Sequence, residues 1–307
     1  MKIFVTGASG WIGSAVVPEL LGAGHDVAGL GRSDESAARI EGMGATVVRG
    51  DLDDPDGLAA AASAADGVIH LAFQHEVAFG GDFATAASVD RTAVEAMGEA
   101  LAGSGRPFVL ASGLAGLRPG RVATEDDGLV LSPEHRAIPA SRRHATSLFA
   151  LSLAGTDVRS SVLRLPPTVH GDGDNGFMGI LVATARERGT AGYVGDGANR
   201  WPAVHRSDAA RLARLALETA PPGSVLHAVG DEGVAFRDIA GAIGRKLDVA
   251  TASVSPADAF GHFGFLGAFA GVDLPATATV TRELLGWEPT GPSLLDDLDQ
   301  DFYFGSA

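Results

Sequence analysis

Apolar and polar positions along the chain alternate between short apolar runs and longer segments with helical spacing. Lys2 to Thr6 is β-branched and aromatic, with the length of one buried strand. Ser14 to Leu21 then has the spacing of a helix, closed by Gly22-Ala23-Gly24. Further strands are predicted at His25–Leu30, Ala45–Gly50, Gly67–Ala72, Arg106–Ser112 and Val158–Leu165. Helices are predicted at Pro55–Ala65, where Asp53 and Asp54 precede the proline, and at Phe83–Leu101 and Ser141–Ala154. Gln74 to Gly81 reads as a loop above the sheet, with His75 and Glu76 turned toward a ligand. Strands and helices in alternation build a parallel sheet covered on both faces, so an α/β fold is expected.

The first break in the pattern carries the chemistry. Gly7, Gly10 and Gly13 lie between the first strand and the first helix. Gly7 permits a tight turn, Gly10 lets the backbone approach phosphates, and Gly13 lets helix and strand pack closely. The helix start presents N–H groups and the positive end of its dipole to an anion. The reading is a dinucleotide pyrophosphate site.

Thr6-Gly-Ala-Ser-Gly-Trp-Ile-Gly13 resembles the fingerprint of the extended and atypical short-chain dehydrogenase/reductase superfamily, its epimerase/dehydratase-like branch. The resemblance implies a Rossmann fold, a doubly wound parallel sheet over residues 1–165. It also implies a smaller C-terminal substrate lobe over 166–307, some of whose strands return to that sheet. Thr6, Gly7, Ser9, Gly10, Trp11, Ile12 and Gly13 would hold the cofactor. Asp51 and Leu52 would border its adenine, Leu71 and Ala72 would run along the nicotinamide ribose, and Pro166 would lie beside the nicotinamide. The match continues through Tyr193–Asp208, where a helix starts with Asp208 near its cap, to Leu284-Leu-Gly-Trp-Glu-Pro289.

The second strand ends in Gly31-Arg32-Ser33, where an NAD site places an acid for the ribose 2′-hydroxyl. A guanidinium there clamps a 2′-phosphate, and Ser33 adds a hydrogen bond, so NADP is expected over NAD. The other reading leaves Arg32 in solvent and turns Asp34 inward.

Ser112, at the end of the fifth strand, matches the superfamily's catalytic serine. The Tyr-x-x-x-Lys pair of that superfamily is missing, since the tyrosines are Tyr193 and Tyr303 and the lysines Lys2 and Lys246. Counting back from Val162-Leu-Arg-Leu165 puts Pro139 in the tyrosine place and Arg143 in the lysine place. Arg143 supplies charge to the cofactor but cannot act as an acid. His144, His135 and His170 are candidate proton donors, as is an ordered water on Ser112. The family's Asn-x-x-Gly-Thr segment is replaced by Ser88-Val-Asp-Arg-Thr92, with Ser88 or Asp90 for the asparagine.

Beyond residue 165, helices are expected at Phe177–Arg188 and Phe236–Leu247, a strand at Ser224–Val229, and mixed structure over Val272–Gly286. His262–Ala270 reads as a core helix or as the wall of an apolar pocket. Arg200 and Trp201 face either substrate or core. His170–Gly176 has alternate aspartates but lacks the closing glutamate of an EF-hand, so no metal site is assigned.

Composition narrows the function classes. A net charge of −15 speaks against nucleic-acid and anionic-membrane surfaces. With no cysteine, disulfides, thiolate zinc and thiol catalysis are excluded. A strand and phosphate loop stand where a signal sequence would, so a cytoplasmic protein is expected. The expected partner is a small-molecule substrate. Helices 83–101 and 141–154 resemble the superfamily's four-helix dimer interface and imply a homodimer, internal packing being the other reading. The expected activity is an NADPH-dependent oxidoreductase on a small carbonyl or hydroxyl compound. The alternatives are an epimerase/dehydratase or a silent cofactor-binding sensor.

Overall fold

Each predicted strand of the first half forms in the computed structural model, which describes residues 1–115, 117, 119–130 and 141–305, Ser141 by its backbone alone. These are β1 (Lys2–Thr6), β2 (Asp26–Gly31), β3 (Thr46–Arg49), β4 (Gly67–His70), β5 (Pro107–Gly113) and β6 (Arg159–Leu165). Then come β7 (Thr168–His170), β8 (Thr190–Val194), β9 (Arg200–His205) and β10 (Ser224–His227). β10 returns to the main sheet, a seven-stranded array in the order β10-β6-β5-β4-β1-β2-β3. Every pairing in it is parallel. The strand order reverses between β1 and β4, which opens a crevice at their carboxyl ends. A three-stranded sheet, β7 and β9 with β11 (Asp231–Ala235), and a two-stranded sheet, β8 with β12 (Ala250–Val254), belong to the C-terminal half.

The helices are α1 (Gly13–Gly22), α2 (Asp34–Gly42), α3 (Pro55–Ser63), α4 (His75–Phe79), α5 (Phe83–Leu101), α6 (Ser141–Ser152), α7 (Phe177–Arg188) and α8 (Arg206–Thr219). Then follow α9 (Phe236–Leu247), α10 (Ala259–Phe263), α11 (Thr279–Leu285) and α12 (Leu294–Leu298). One apolar layer, with Val16, Leu20, Val109, Leu212 and Trp287, packs α1 and α8 on the sheet. A second, with Phe4, Val94, Met97 and Phe108, packs α3, α5 and α6 on the other face. A third core, around Trp201, Phe236 and Phe263, belongs to the C-terminal lobe.

Two predicted segments depart from expectation. Gln74–Gly81 contains α4, one short helix where a loop was expected. His262–Ala270 is not one helix: α10 ends at Phe263, and Gly264 at φ +59° starts a 3-10 turn, Gly264–Ala268. Val272–Gly286 is mixed as expected, an isolated bridge at Ala276 followed by helix over Thr279–Leu285. α2 was missed although Ser33 and Ser36 form a capping box ahead of it.

The interior also holds a buried charge. Arg164 on β6 is 1% exposed and donates to the backbone carbonyl of Asp127 at 2.8 Å and to His227 Nε2 at 3.3 Å. His227 Nδ1 in turn donates to the Thr277 carbonyl at 2.8 Å. That arrangement requires a neutral imidazole.

Candidate active site

The glycine turn is sterically closed to side chains. Gly7 has φ +68°, and a Cβ there would come within 2.8 Å of the Ala72 nitrogen. A Cβ on Gly13 would stand 2.0 Å from the Gly7 carbonyl oxygen. α1 starts behind Ile12 with no side-chain cap and no acidic residue in its first turn, as an anion site at a helix N-terminus requires. A glycine cradle beside an uncapped, acid-free helix start fits the pyrophosphate of a dinucleotide.

The ends of β1 and β4 are tied side by side at the crevice. Leu71 N donates to the Thr6 carbonyl at 3.2 Å, and Ala72 N donates to Thr6 Oγ1 at 3.2 Å. Thr6, Gly7, Leu71 and Ala72 therefore meet at one point. Trp11 reaches across the loop, its Nε1 donating to the Val169 carbonyl at 2.8 Å, while Arg206 lies 4.3 Å above its ring. Ile12 packs on the main core, Ser9 is half-buried, and Pro166 is buried directly after β6.

At the end of β2 the Arg32 side chain is 70% exposed, with Nε 3.8 Å from Asp51. Ser33 Oγ accepts from Ser36 N and so caps α2. Arg49 donates to the Ser33 carbonyl and pairs with Asp34 at 2.6 Å, fixing this corner. Leu52 is buried beside it.

Ser112 is the last residue but one of β5, 8% exposed. Ser147 on α6, which the sequence did not single out, donates to Ser112 Oγ at 2.8 Å. Such a bond leaves the Ser112 proton available to a ligand. One turn earlier, Arg143 donates to the Ala111 carbonyl at 3.3 Å, and its guanidinium lies 4.0 Å from the centre of the Phe73 ring. Arg143 Nε stands 4.0 Å from Asp90 Oδ2, and among the described residues neither atom has a hydrogen-bond partner. The other Asp90 oxygen is 3.3 Å from His70 Nε2, and His70 Nδ1 is 2.7 Å from Thr6 Oγ1. Asp90, rather than the exposed Ser88, faces this group. A buried chain thus links the glycine loop to Arg143 through Thr6, His70 and Asp90.

The other candidates lie elsewhere or have other partners. His144 Nε2 meets the Gly128 carbonyl. His170 is fully buried, with Nδ1 2.6 Å from Asp297 and its ring 5.6 Å from that of His205. His135 and Pro139 lie outside the described residues. Trp201 is fully buried in core, and Arg200 is held side-on by Asp273, through Nε at 3.0 Å and Nη2 at 2.8 Å. Asp208 sits in the first turn of α8, whose cap is His205; it accepts from Thr290 N and Gly291 N and so fastens the closing segment. In the 171–176 loop, Asp174 accepts from Tyr303 at 2.8 Å, and burial pushes its carboxyl above the ordinary Asp value.

Comparison with known proteins decides the family. Residues 3–228 match the NAD dependent epimerase/dehydratase family. This chain belongs to it. An uncharacterized protein of Schizosaccharomyces pombe is 45% identical over 99% of this chain and 100% of its own length. The 2-alkyl-3-oxoalkanoate reductase of Stenotrophomonas maltophilia is 28% identical over 73% of this chain and 67% of that protein. The UDP-glucose 4-epimerase of Thermotoga maritima shares the fold, with a TM-score of 0.75 and 21% identity, over 99% of this chain and 98% of that one. As a member of the epimerase/dehydratase family the chain is an NAD(P)-dependent enzyme of the oxidoreductase and epimerase type. Among the described residues no helix is long and apolar enough to cross a membrane, and no cluster of three or more His, Cys, Asp or Glu is placed to hold a metal.

Proposed function

We propose that this family member is an NADPH-dependent reductase of small carbonyl compounds that works without a Tyr-x-x-x-Lys pair. The observation that carries the reading is the Ser147–Ser112 hydroxyl pair, one helical turn from Arg143, at the carboxyl end of β5. The bound nicotinamide supplies the hydride. Ser147 donates to Ser112, and Ser112 turns its proton toward the substrate carbonyl oxygen, where negative charge develops. Arg143, steadied by Asp90 and Phe73, adds a fixed positive charge beside the cofactor and keeps its own protons. A solvent proton relayed through the hydroxyl pair completes the alcohol. Arg32, exposed beside Asp51, supports NADPH over NADH as the partner of a 2′-phosphate. The oxoalkanoate reductase among the relatives bears a name that is itself a carbonyl reduction.

The test is loss of the reduced-nicotinamide signal with purified protein over a panel of aldehydes and ketones, with NADPH and NADH in parallel. Turnover favouring NADPH, lost in Ser112→Ala, is expected. Tight NADPH binding with no consumption across the panel would overturn the reductase reading.

A further inference from the structure

An unbroken series of aromatic contacts leads from Arg143 into the C-terminal lobe, and the chemistry above uses only its first member. Phe73, beneath the Arg143 guanidinium, meets His75 edge-on at 5.1 Å between ring centres, and His75 meets Phe79 at 5.6 Å. Phe79 then crosses to the other lobe. It stacks on Phe265 at 4.9 Å with 22° between the planes, and Phe177 lies 6.0 Å from Phe265 and from Phe269. The inner end of this series, at Trp201, is closed core. The outer end is open: Phe79 is 42% exposed, and Phe265, Phe177 and Phe269 are partly buried.

The two elements that bring Phe79 and Phe265 together are short and lightly anchored. α4 has five residues, no side-chain cap, and Gly80-Gly81 behind it, with Gly81 at φ +112°. Phe265 rides on the Gly264–Ala268 turn. Packing for its own sake would bury such a ring pair, since aromatic rings give most stabilisation when water is excluded. A solvent-reached pair on a series that begins at Phe73, beside Arg143, instead offers its outer faces and edges to a planar ligand.

We propose that α4 and the Gly264–Ala268 turn are the two jaws of the substrate pocket, and that the substrate is an uncharged carbonyl compound with a planar, aromatic body. The carbonyl lies at the Phe73 end, by Ser112 and Arg143, and the body lies against Phe79, Phe265 and Phe177. This rests on the carbonyl-reductase reading. A substrate carrying a diphosphate needs a free cation along the same path. Arg200, adjacent to Trp201 in the chain, already spends its Nε–Nη2 edge on Asp273, and the net charge of −15 opposes a further anion.

The test is calorimetric titration of the NADP⁺-loaded protein with acetonaphthone, acetone and UDP-glucose, so that binding is read without turnover. Acetonaphthone should bind at least about tenfold more tightly than acetone. Phe79→Ala should lose most of that advantage while leaving the NADP⁺ affinity unchanged. Phe79→Tyr should restore it. Equal binding of the two ketones, indifference to Phe79→Ala, or tighter binding of UDP-glucose would each overturn the proposal. Reduction of small ketones without any aromatic advantage would sink this pocket and leave the reductase reading intact. Aromatic binding through Phe79 with no carbonyl turnover would do the reverse.

Discussion

Gly10 and Gly13 stand three residues apart in one turn, yet substitution by alanine should damage different properties. A Cβ on Gly13 would meet the Gly7 carbonyl oxygen at 2.0 Å and the Ala8 carbonyl oxygen at 2.7 Å. Both neighbours are backbone, so the turn itself must open by about 1 Å, and overpacking of that kind costs about 1–3 kcal/mol. Gly13→Ala should therefore lower both the thermal midpoint and the cofactor affinity. A Cβ on Gly10 meets only the Gly7 oxygen, at 3.2 Å, which a few tenths of an ångström relieve. Gly10→Ala should change stability by less than about 0.5 kcal/mol. It should nonetheless push the phosphates off the loop and break at least one hydrogen bond to a charged group, about 1.5–3 kcal/mol or roughly 10- to 150-fold in Kd. Differential scanning calorimetry and titration with NADP⁺ separate the two quantities. A Gly10→Ala protein with unchanged Kd would refute the placement of a pyrophosphate on this turn. A Gly13→Ala protein as stable as the parent would refute the packing argument.

Three further outcomes follow from the geometry. Arg32→Ala should weaken NADPH by about tenfold or more and leave NADH alone, a guanidinium–phosphate contact being worth about 1.5–3 kcal/mol; equal losses with both cofactors would remove Arg32 from the 2′-site. Ser112→Ala should lower kcat by about 10²-fold with NADP⁺ affinity unchanged, whereas Ser147→Ala, acting one bond further away, should cost about tenfold; steady-state kinetics with equilibrium binding would show a reversed order if the roles were exchanged. His227 is held neutral by burial, which lowers its pKa from 6.5 to about 4. Between those values the unfolded chain binds a proton that the folded chain does not, so stability should fall as pH drops from about 6.5 toward 4, by at most about 3 kcal/mol. Denaturant midpoints across that range should slope less in His227→Gln, and an unchanged slope would contradict the assignment.

What could be read from the sequence was what local geometry dictates. The glycine turn is legible because only glycine fits at Gly7 and Gly13, and the apolar spacing of Phe83–Leu101, Phe177–Arg188 and Phe236–Leu247 gave helices with those same bounds. The candidate site was legible only where one strand end supplies it, as at Ser112. Ser147 was not, because a mid-helix serine has no local mark and acquires its meaning from β5 packed beneath it. Between Ser88 and Asp90 spacing alone could not choose, and burial against Arg143 and His70 does. His170 shows the converse: a histidine after the last strand of the first half suggests a proton donor, yet its partner, Asp297, comes from almost the far end of the chain. Phe79 on Phe265 likewise joins two segments that read separately as a loop and a core helix.

Trp11 gives the glycine turn a mechanical coupling. Its indole is fastened to the Val169 carbonyl, in β7, and clasped by Arg206 at the start of α8. The glycine loop and β7 are therefore tied together through one side chain. A ligand that shifts β7 should shift the glycine loop with it, and linkage makes the influence reciprocal. Cofactor and substrate should bind cooperatively, each raising the affinity for the other by the same factor, and replacing Trp11 with phenylalanine should uncouple them while both sites still fill.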